Sequence, residues 1–252
     1  MKKIGIVGGV SWQSTADYYS GICRLSEQAH SEARREGIAA IPEMAIESLS
    51  LRRAVSILGM DSDESSWSEF DALHREALMR LERSGADFAV IASNTPHHRL
   101  GAICRGVRLP VLDLFEELAV AAAAVGSKEV LILGTATTMN SQTLRLAFER
   151  QGITASGPRS PGSRGETLSL LDEIHTGKSS GSKERLEAIV AAELAAGAWG
   201  QPTVCLACTE LPPLLEDSGG APVTRSGRLT YLNSSWVHIR AAFDVAVGTR
   251  RR

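Results

Sequence analysis

Four short runs of consecutive apolar residues, Ile4–Val7, Phe88–Ala92, Val130–Leu133 and Thr203–Leu206, have the length and side-chain types of parallel strands buried on both faces. Weaker runs at Glu43–Glu47, Val111–Leu112 and Ala221–Val223 extend the set. Between them the period changes. Ser68–Ser84 sets Phe70, Leu73, Ala77 and Leu81 on one helical face. Ser14–Arg35, Leu114–Val125, Ser141–Gln151, Glu166–His175 and Lys183–Ala196 complete the predicted helices. Strands alternating with helices predict an α/β fold with parallel sheets. Three polar stretches, Gly59–Ser66, Ser156–Gly165 and Thr176–Ser182, read as surface loops.

The pattern repeats weakly. In the first half a strand runs into Gly8-Gly9 and a later strand into Ser93-Asn94-Thr95; in the second half the corresponding strands run into Gly134-Thr135 and Cys208-Thr209-Glu210. Ligands of open α/β sheets bind at the carboxyl ends of strands, so two such halves facing one another would put a polar cluster on each wall of one cleft. The expected domains are residues 1–100 with 216–252, and residues 101–215.

Composition narrows the function classes. With 252 residues, 43% hydrophobic and 22% charged, the chain is ordinary for a globular protein of two domains. A net charge of −2 leaves no electrostatic footprint for nucleic acid or a membrane surface. No apolar stretch reaches the ~20 residues of a membrane helix, and no targeting segment is visible, so a cytoplasmic location is expected. Of the four cysteines, Cys205 and Cys208 form a lone Cys-x-x-Cys without the second ligand pair of a structural zinc site, and Cys205 lies inside a strand-like run rather than opening a helix as redox motifs do. No metal is expected. The lysines, Lys2, Lys3, Lys128, Lys178 and Lys183, lie near a terminus or in polar stretches, so none suits a buried Schiff base with pyridoxal phosphate, and no cofactor is expected.

Three segments carry candidate chemistry. Gly5-Ile6-Val7-Gly8-Gly9 departs from the dinucleotide fingerprint; its glycines let backbone N–H groups approach a small anion, with Ser11, Ser14 and Thr15 adding hydroxyls at a helix start, or else they form a tight structural turn. Asn94 and Thr95, just past a strand, offer hydrogen bonds to a carboxylate, or a helix cap. Cys208, at a strand's end and followed by Thr209 and Glu210, reads as a reactive thiol with a useful thiolate fraction near neutrality, or as an inert buried cysteine.

Together these segments resemble the aspartate/glutamate racemase family. Gly8-Gly9-Val10-Ser11-Trp12-Gln13-Ser14-Thr15-Ala16-Asp17-Tyr18-Tyr19 matches the family's opening Gly-Gly-x-Ser-Trp-x-Ser-Thr-x-x-Tyr-Tyr. Ser93-Asn94-Thr95-Pro96-His97 matches its Cys-Asn-Thr-x-His except at the first residue, and Ala207-Cys208-Thr209-Glu210 matches its Gly/Ala-Cys-Thr-Glu. Leu232-Asn233-Ser234-Ser235-Trp236-Val237-His238 is similar to its Asp-Thr-Thr-x-x-His.

The resemblance implies two similar Rossmann-like three-layer α/β domains with the active site in the cleft between them. It implies cofactor-independent racemisation of an acidic amino acid, two thiols working on opposite faces of the α-carbon. Cys208 takes one role, and Ser93 stands where the second thiol is expected. Ser11, Asn94, Thr95, Thr135, Thr209, Arg52 and Arg164 are the implied substrate-binding residues; His97, Glu210 and His238 are supporting, with His97 assisting Ser93. A homodimer is expected, with a small carboxylate or amino acid as its only partner. Two alternatives stay open: a single-thiol decarboxylase or cis-trans isomerase of a small dicarboxylate, and a degenerate carboxylate-binding protein.

Overall fold

A computed structural model of the chain describes residues 1–34, 36–60, 62–177, 180–196, 199–215 and 220–249. The expected helix end at Arg35, and Lys178, lie outside the described residues. The chain divides into two compact units, Met1–Leu114 with His238–Arg252, and Phe115–Val237. These bounds correct the expected ones for two backbone reasons. Residues 110–112 bracket Ala89, whose N–H donates to Pro110 O and whose carbonyl accepts from Leu112 N, which holds that segment in the first unit. A strand at Leu229–Asn233 pairs in parallel with Thr203–Leu206, which draws the chain up to Val237 into the second.

In the first unit the parallel sheet has the order β2-β1-β3, with β1 Ile4–Gly8, β2 Met44–Ser48 and β3 Phe88–Ile91. Every residue of β1 and β3 is buried, the reason these strands read as unbroken apolar runs. Helices α1 (Trp12–Glu32), α2 (Leu51–Ser56), α3 (Ser68–Arg83) and α4 (Leu100–Ile103) follow the strands. The predicted stripe of α3 is its core face, since Phe70, Leu73, Ala77 and Leu81 are all buried. A Cβ on Gly5 would stand 3.1–3.2 Å from the Leu81 and Ala86 side chains, a tight fit that these neighbours would have to yield to by a few tenths of an ångström.

The second unit carries the order β5-β4-β6-β8-β7, with β4 Glu129–Leu133, β5 Thr154–Ser156, β6 Thr203–Leu206, β7 Val223–Ser226 and β8 Leu229–Asn233. β4, β5, β6 and β8 run parallel, and β7 is an antiparallel edge. Helices α5 (Leu114–Ala124), α6 (Ala136–Asn140), α7 (Gln142–Arg150), α8 (Pro161–His175) and α9 (Ser182–Ala195) intervene, and α10 (Ser234–Val247) carries the chain back into the first unit at His238. The core of this unit gathers Leu131, Leu170, Leu186, Val190, Val204 and Leu206.

β5-β4-β6 repeats the order of β2-β1-β3, first strand in the middle with the second and third on its flanks, which is the weak repeat seen in the sequence. The stretch expected as a loop at Ser156–Gly165 instead contains the start of α8, with Ser160 as N-cap and Pro161 in the first turn. Gly59–Ser66 includes the onset of a short 3-10 helix at Glu64–Trp67. Among the described residues, no helix is long and apolar enough to cross a membrane.

Candidate active site

In the first unit, β1, β2 and β3 are parallel, so their carboxyl ends share one edge. Gly8 and Gly9 leave that edge in a turn closed by Thr15, whose hydroxyl accepts from Gly9 N–H (2.8 Å) and donates to Ser11 O (2.9 Å). Ser11 caps α1, its Oγ accepting from Ser14 N–H (3.3 Å) and donating to Gln13 (3.2 Å). The Ser11 and Thr15 hydroxyls thus serve the turn and cap in this structure, whereas Ser14 Oγ is buried without a hydrogen-bond partner. Ser93, half-buried, follows β3, with Asn94 buried and Thr95 half-buried beside it. Arg52 is exposed in α2.

A buried histidine network lies at the exit of β3. His238 Nε2 is 3.1 Å from Leu112 O, which can only accept, so Nε2 carries the proton and Nδ1 accepts from the Tyr18 hydroxyl at 2.9 Å. The His97 ring packs edge-on against His238, with centroids 5.4 Å apart. His97 Nδ1 meets Asp113 Oδ1 (3.1 Å) and Leu114 N (3.3 Å), and Nε2 meets Ile91 O (3.3 Å). Through these contacts the His97 ring braces the exit of β3 against residues 113–114. Tyr18 and Asp113 belong to this network and were missed as members of it, since nothing local in the sequence brings them together.

Burial, with a smaller contribution from His97, pushes His238 down to about 3. An unfolded histidine titrates near 6.5. Between those values the unfolded chain binds a proton that the folded chain refuses, so this stability is fully present above about pH 6.5 and falls with pH. The expected slope is about 1.4 kcal/mol per pH unit for His238. His98, held down to about 4 by burial and its charged neighbours, steepens it. Urea unfolding between pH 7 and 5, above the carboxylate range, reads this slope; a flat midpoint across that window would contradict a neutral buried His238.

In the second unit the parallel strands β4, β6 and β8 also end on a common edge. Thr135, past β4, caps α6. Gly134 lets the turn after β4 pass close to that after β6, since a Cβ there would lie 2.8 Å from Ala207 O. Cys208, 7% exposed, follows β6. Its Sγ donates to Glu210 Oε2 at 2.8 Å, and the Thr209 hydroxyl donates to the same oxygen at 2.9 Å. The other oxygen, Oε1, lies 3.6 Å from Nε2 of His175 at the end of α8. His175 was missed; a helix-terminal histidine gives no hint that the fold sets it beside Cys208. Arg164 is half-buried in α8 and hydrogen-bonds Asn140.

Burial, then the Glu210 charge and hydrogen bond, raise the Cys208 thiol well above its ordinary value. This overturns the expected thiolate fraction: the resting group is a thiol. Glu210→Gln removes the charge and leaves the burial, so the thiol is expected to titrate lower than in the parent while staying above a free cysteine. The pH dependence of iodoacetamide alkylation measures it, and an unchanged profile would remove Glu210 from the account. Cys205 points into the core, pushed up to about 12 by burial alone.

Cavities of about 660 and 560 Å³, one within each unit, are lined by none of the residues expected to act; the second lies at the amino ends of β4 and β6, away from Cys208.

A family model described as Asp/Glu/hydantoin racemase matches residues 7–242. An aspartate racemase homologue from Pyrococcus horikoshii OT3 is 25% identical, covers 98% of this chain and 100% of its own, and superposes with a TM-score of 0.75. A Yersinia pestis protein assigned to the Asp/Glu racemases (24% identity, 98% and 100% coverage, TM-score 0.77) and the Picrophilus torridus aspartate racemase (17%, 98% and 95%, 0.70) share the fold.

Proposed function

This chain belongs to the Asp/Glu/hydantoin racemase family, whose aspartate and glutamate racemases are isomerases that work without pyridoxal phosphate, and from that premise we propose that it interconverts the enantiomers of a small acidic amino acid by removing and returning the α-proton. Cys208 is the group on one face of the α-carbon, and Ser93 takes the position of the second family thiol. The observation that carries this reading is the Cys208–Glu210 pair at the end of β6. In one direction the thiol delivers its proton to the carbanion. In the other, the Glu210 carboxylate takes the thiol proton, leaving a thiolate that removes the α-proton. Thr135, Thr209, Asn94, Thr95 and Ser11 bind the α-carboxylate in this reading, and Arg52 and Arg164 attract the side-chain carboxylate. The acting species is a homodimer in the cytoplasm, to be checked by sedimentation and cell fractionation.

A second reading draws on a specific observation. A resting thiol already holding its proton, in a chain with serine at the other family position, suits one-sided protonation of an enediolate after decarboxylation of a disubstituted malonate. Isomerisation of a small dicarboxylate would use the thiolate instead, Glu210 taking the thiol proton while the sulfur adds to the double bond and leaves again after rotation.

An amino-acid panel in D₂O, followed by NMR, tests the first reading through loss of the α-proton signal; CO₂ release with no exchange favours the second. A serine hydroxyl gives up its proton far less readily than a thiol, and efficient bases sit near working pH. The enantiomer whose α-proton meets Cys208 is therefore expected to exchange faster. Ser93→Cys should bring the two directions closer together. If Ser93→Cys and Ser93→Ala both leave each direction untouched, Ser93 moves no proton.

A further inference from the structure

We propose that Cys208, Glu210 and His175 form a binding site for a thiophilic divalent ion such as Zn²⁺, and that the ion switches the site off by occupying the thiol. The three donors come from two places in the second unit: Cys208 and Glu210 from the turn after β6, His175 from the last residue of α8. Their ligand atoms, Sγ, a carboxylate oxygen and a ring nitrogen, all lie within 4.8 Å of one another. The two carboxylate oxygens divide the work, Oε2 against the sulfur at 2.8 Å and Oε1 toward the imidazole at 3.6 Å.

The second distance is informative. At 3.6 Å the imidazole and carboxylate are too far apart for a hydrogen bond. Two ligands of one tetrahedral ion with bonds of about 2.0–2.3 Å stand roughly 3.3–3.7 Å apart, so the His175–Oε1 spacing needs no change, and the three ligand atoms, all within 4.8 Å of one another, need side-chain adjustments of only about 1 Å to share an ion. His175 is 49% exposed along its side chain, so its ring faces solvent and has room to turn, giving an ion an approach to a thiol that is itself 7% exposed. Thiolate with imidazole selects Zn²⁺, Cd²⁺ or Co²⁺ over Mg²⁺ and Ca²⁺. With three protein ligands, the fourth position is open to water or a carboxylate.

On binding, the Cys208 S–H bond breaks, the sulfur–metal bond forms, and the proton passes to the buffer. A sulfur held this way neither donates nor accepts a proton at carbon. The binding rests on coordination geometry; only its inhibitory effect rests on the racemase reading.

The test is a titration of the full-length, chelator-treated protein with Co²⁺, read by absorbance. The expected result is a thiolate-to-cobalt charge-transfer band with the visible bands of tetrahedral cobalt, one proton released per ion, and competition by Zn²⁺. His175→Ala, at an exposed helix end, should weaken the ion by at least the roughly 10–100-fold that loss of an outer-shell partner costs elsewhere. Cobalt bound without the thiolate band, or equal affinity in parent and His175→Ala, would overturn the site. Exchange in D₂O is measured separately on metal-free protein. A cobalt band with no exchange would keep the metal site and remove the racemase reading; exchange with no cobalt band would do the reverse.

Discussion

Replacing Cys208 with alanine is expected to reduce exchange of the substrate α-proton by roughly a hundredfold to ten-thousandfold, the span over which a positioned acid–base group acts. The effect should fall on kcat and kcat/KM together, because the lost proton transfer belongs to the transition state and not to ground-state binding. Cys205→Ala is the matched control. Its thiol lies three residues away with its side chain in the core, its residue registered against Ile132 and Leu232 in the neighbouring strands. That truncation should cost about 1–2 kcal/mol of stability and leave exchange near the parent rate. Exchange that survives in Cys208→Ala, measured by NMR in D₂O, would remove the thiol from the chemistry.

The largest stability effect is expected at Gly9. Its φ of +88° is a conformation that side-chain-bearing residues adopt only at a cost of about 1–2 kcal/mol. A Cβ there would also stand 2.1 Å from Leu49 O and 2.4 Å from Leu49 N, both backbone atoms. Leu49 cannot yield freely, because its N–H donates to Gly8 O at 2.9 Å and so closes the exit of β2 onto β1. Gly9→Ala is therefore expected to lose more than about 3 kcal/mol, a fall in Tm of about 10 °C or insolubility on expression. Gly126→Ala separates the two causes, since φ there is +77° and nothing lies within 4 Å of an added Cβ. It should cost only the backbone share. Equal melting shifts in the two variants would mean that the crowding at Leu49 relaxes at no cost.

What the sequence disclosed and what it hid follow from how each element is buried. β1, β3, β4 and β6 are covered on both faces, so continuous apolar runs located them to within a residue. β5 is the three residues Thr154–Ser156, too short and polar to stand out. β8 mixes Thr230 and Asn233 with Tyr231 and Leu232, so it was read as a motif and not as a strand, which displaced the expected domain boundary. In the candidate site, Cys208 and Glu210 were legible because they stand two positions apart in the sequence. The ionisation of the thiol was not legible: it depends on depth of burial and on which way a carboxylate points, neither of which a residue pattern records. His175 and Asp113 escaped for the same reason, being brought to their partners only by tertiary packing.

The division of the chain also sets an order of completion during synthesis. Residues 115–237 are contiguous and hold every strand of the second sheet, so that unit has its full complement of residues once Val237 has left the ribosome. The first unit has to wait. Its Tyr18 hydroxyl and Leu112 carbonyl are both met by His238, and Lys2 N–H by Ala246 O, all from residues translated after the second unit. The nascent chain therefore carries the Gly8-Gly9 turn and the Ser93 strand end in an unfinished unit until His238 and Ala246 have been made. The half that begins first is the last to lock.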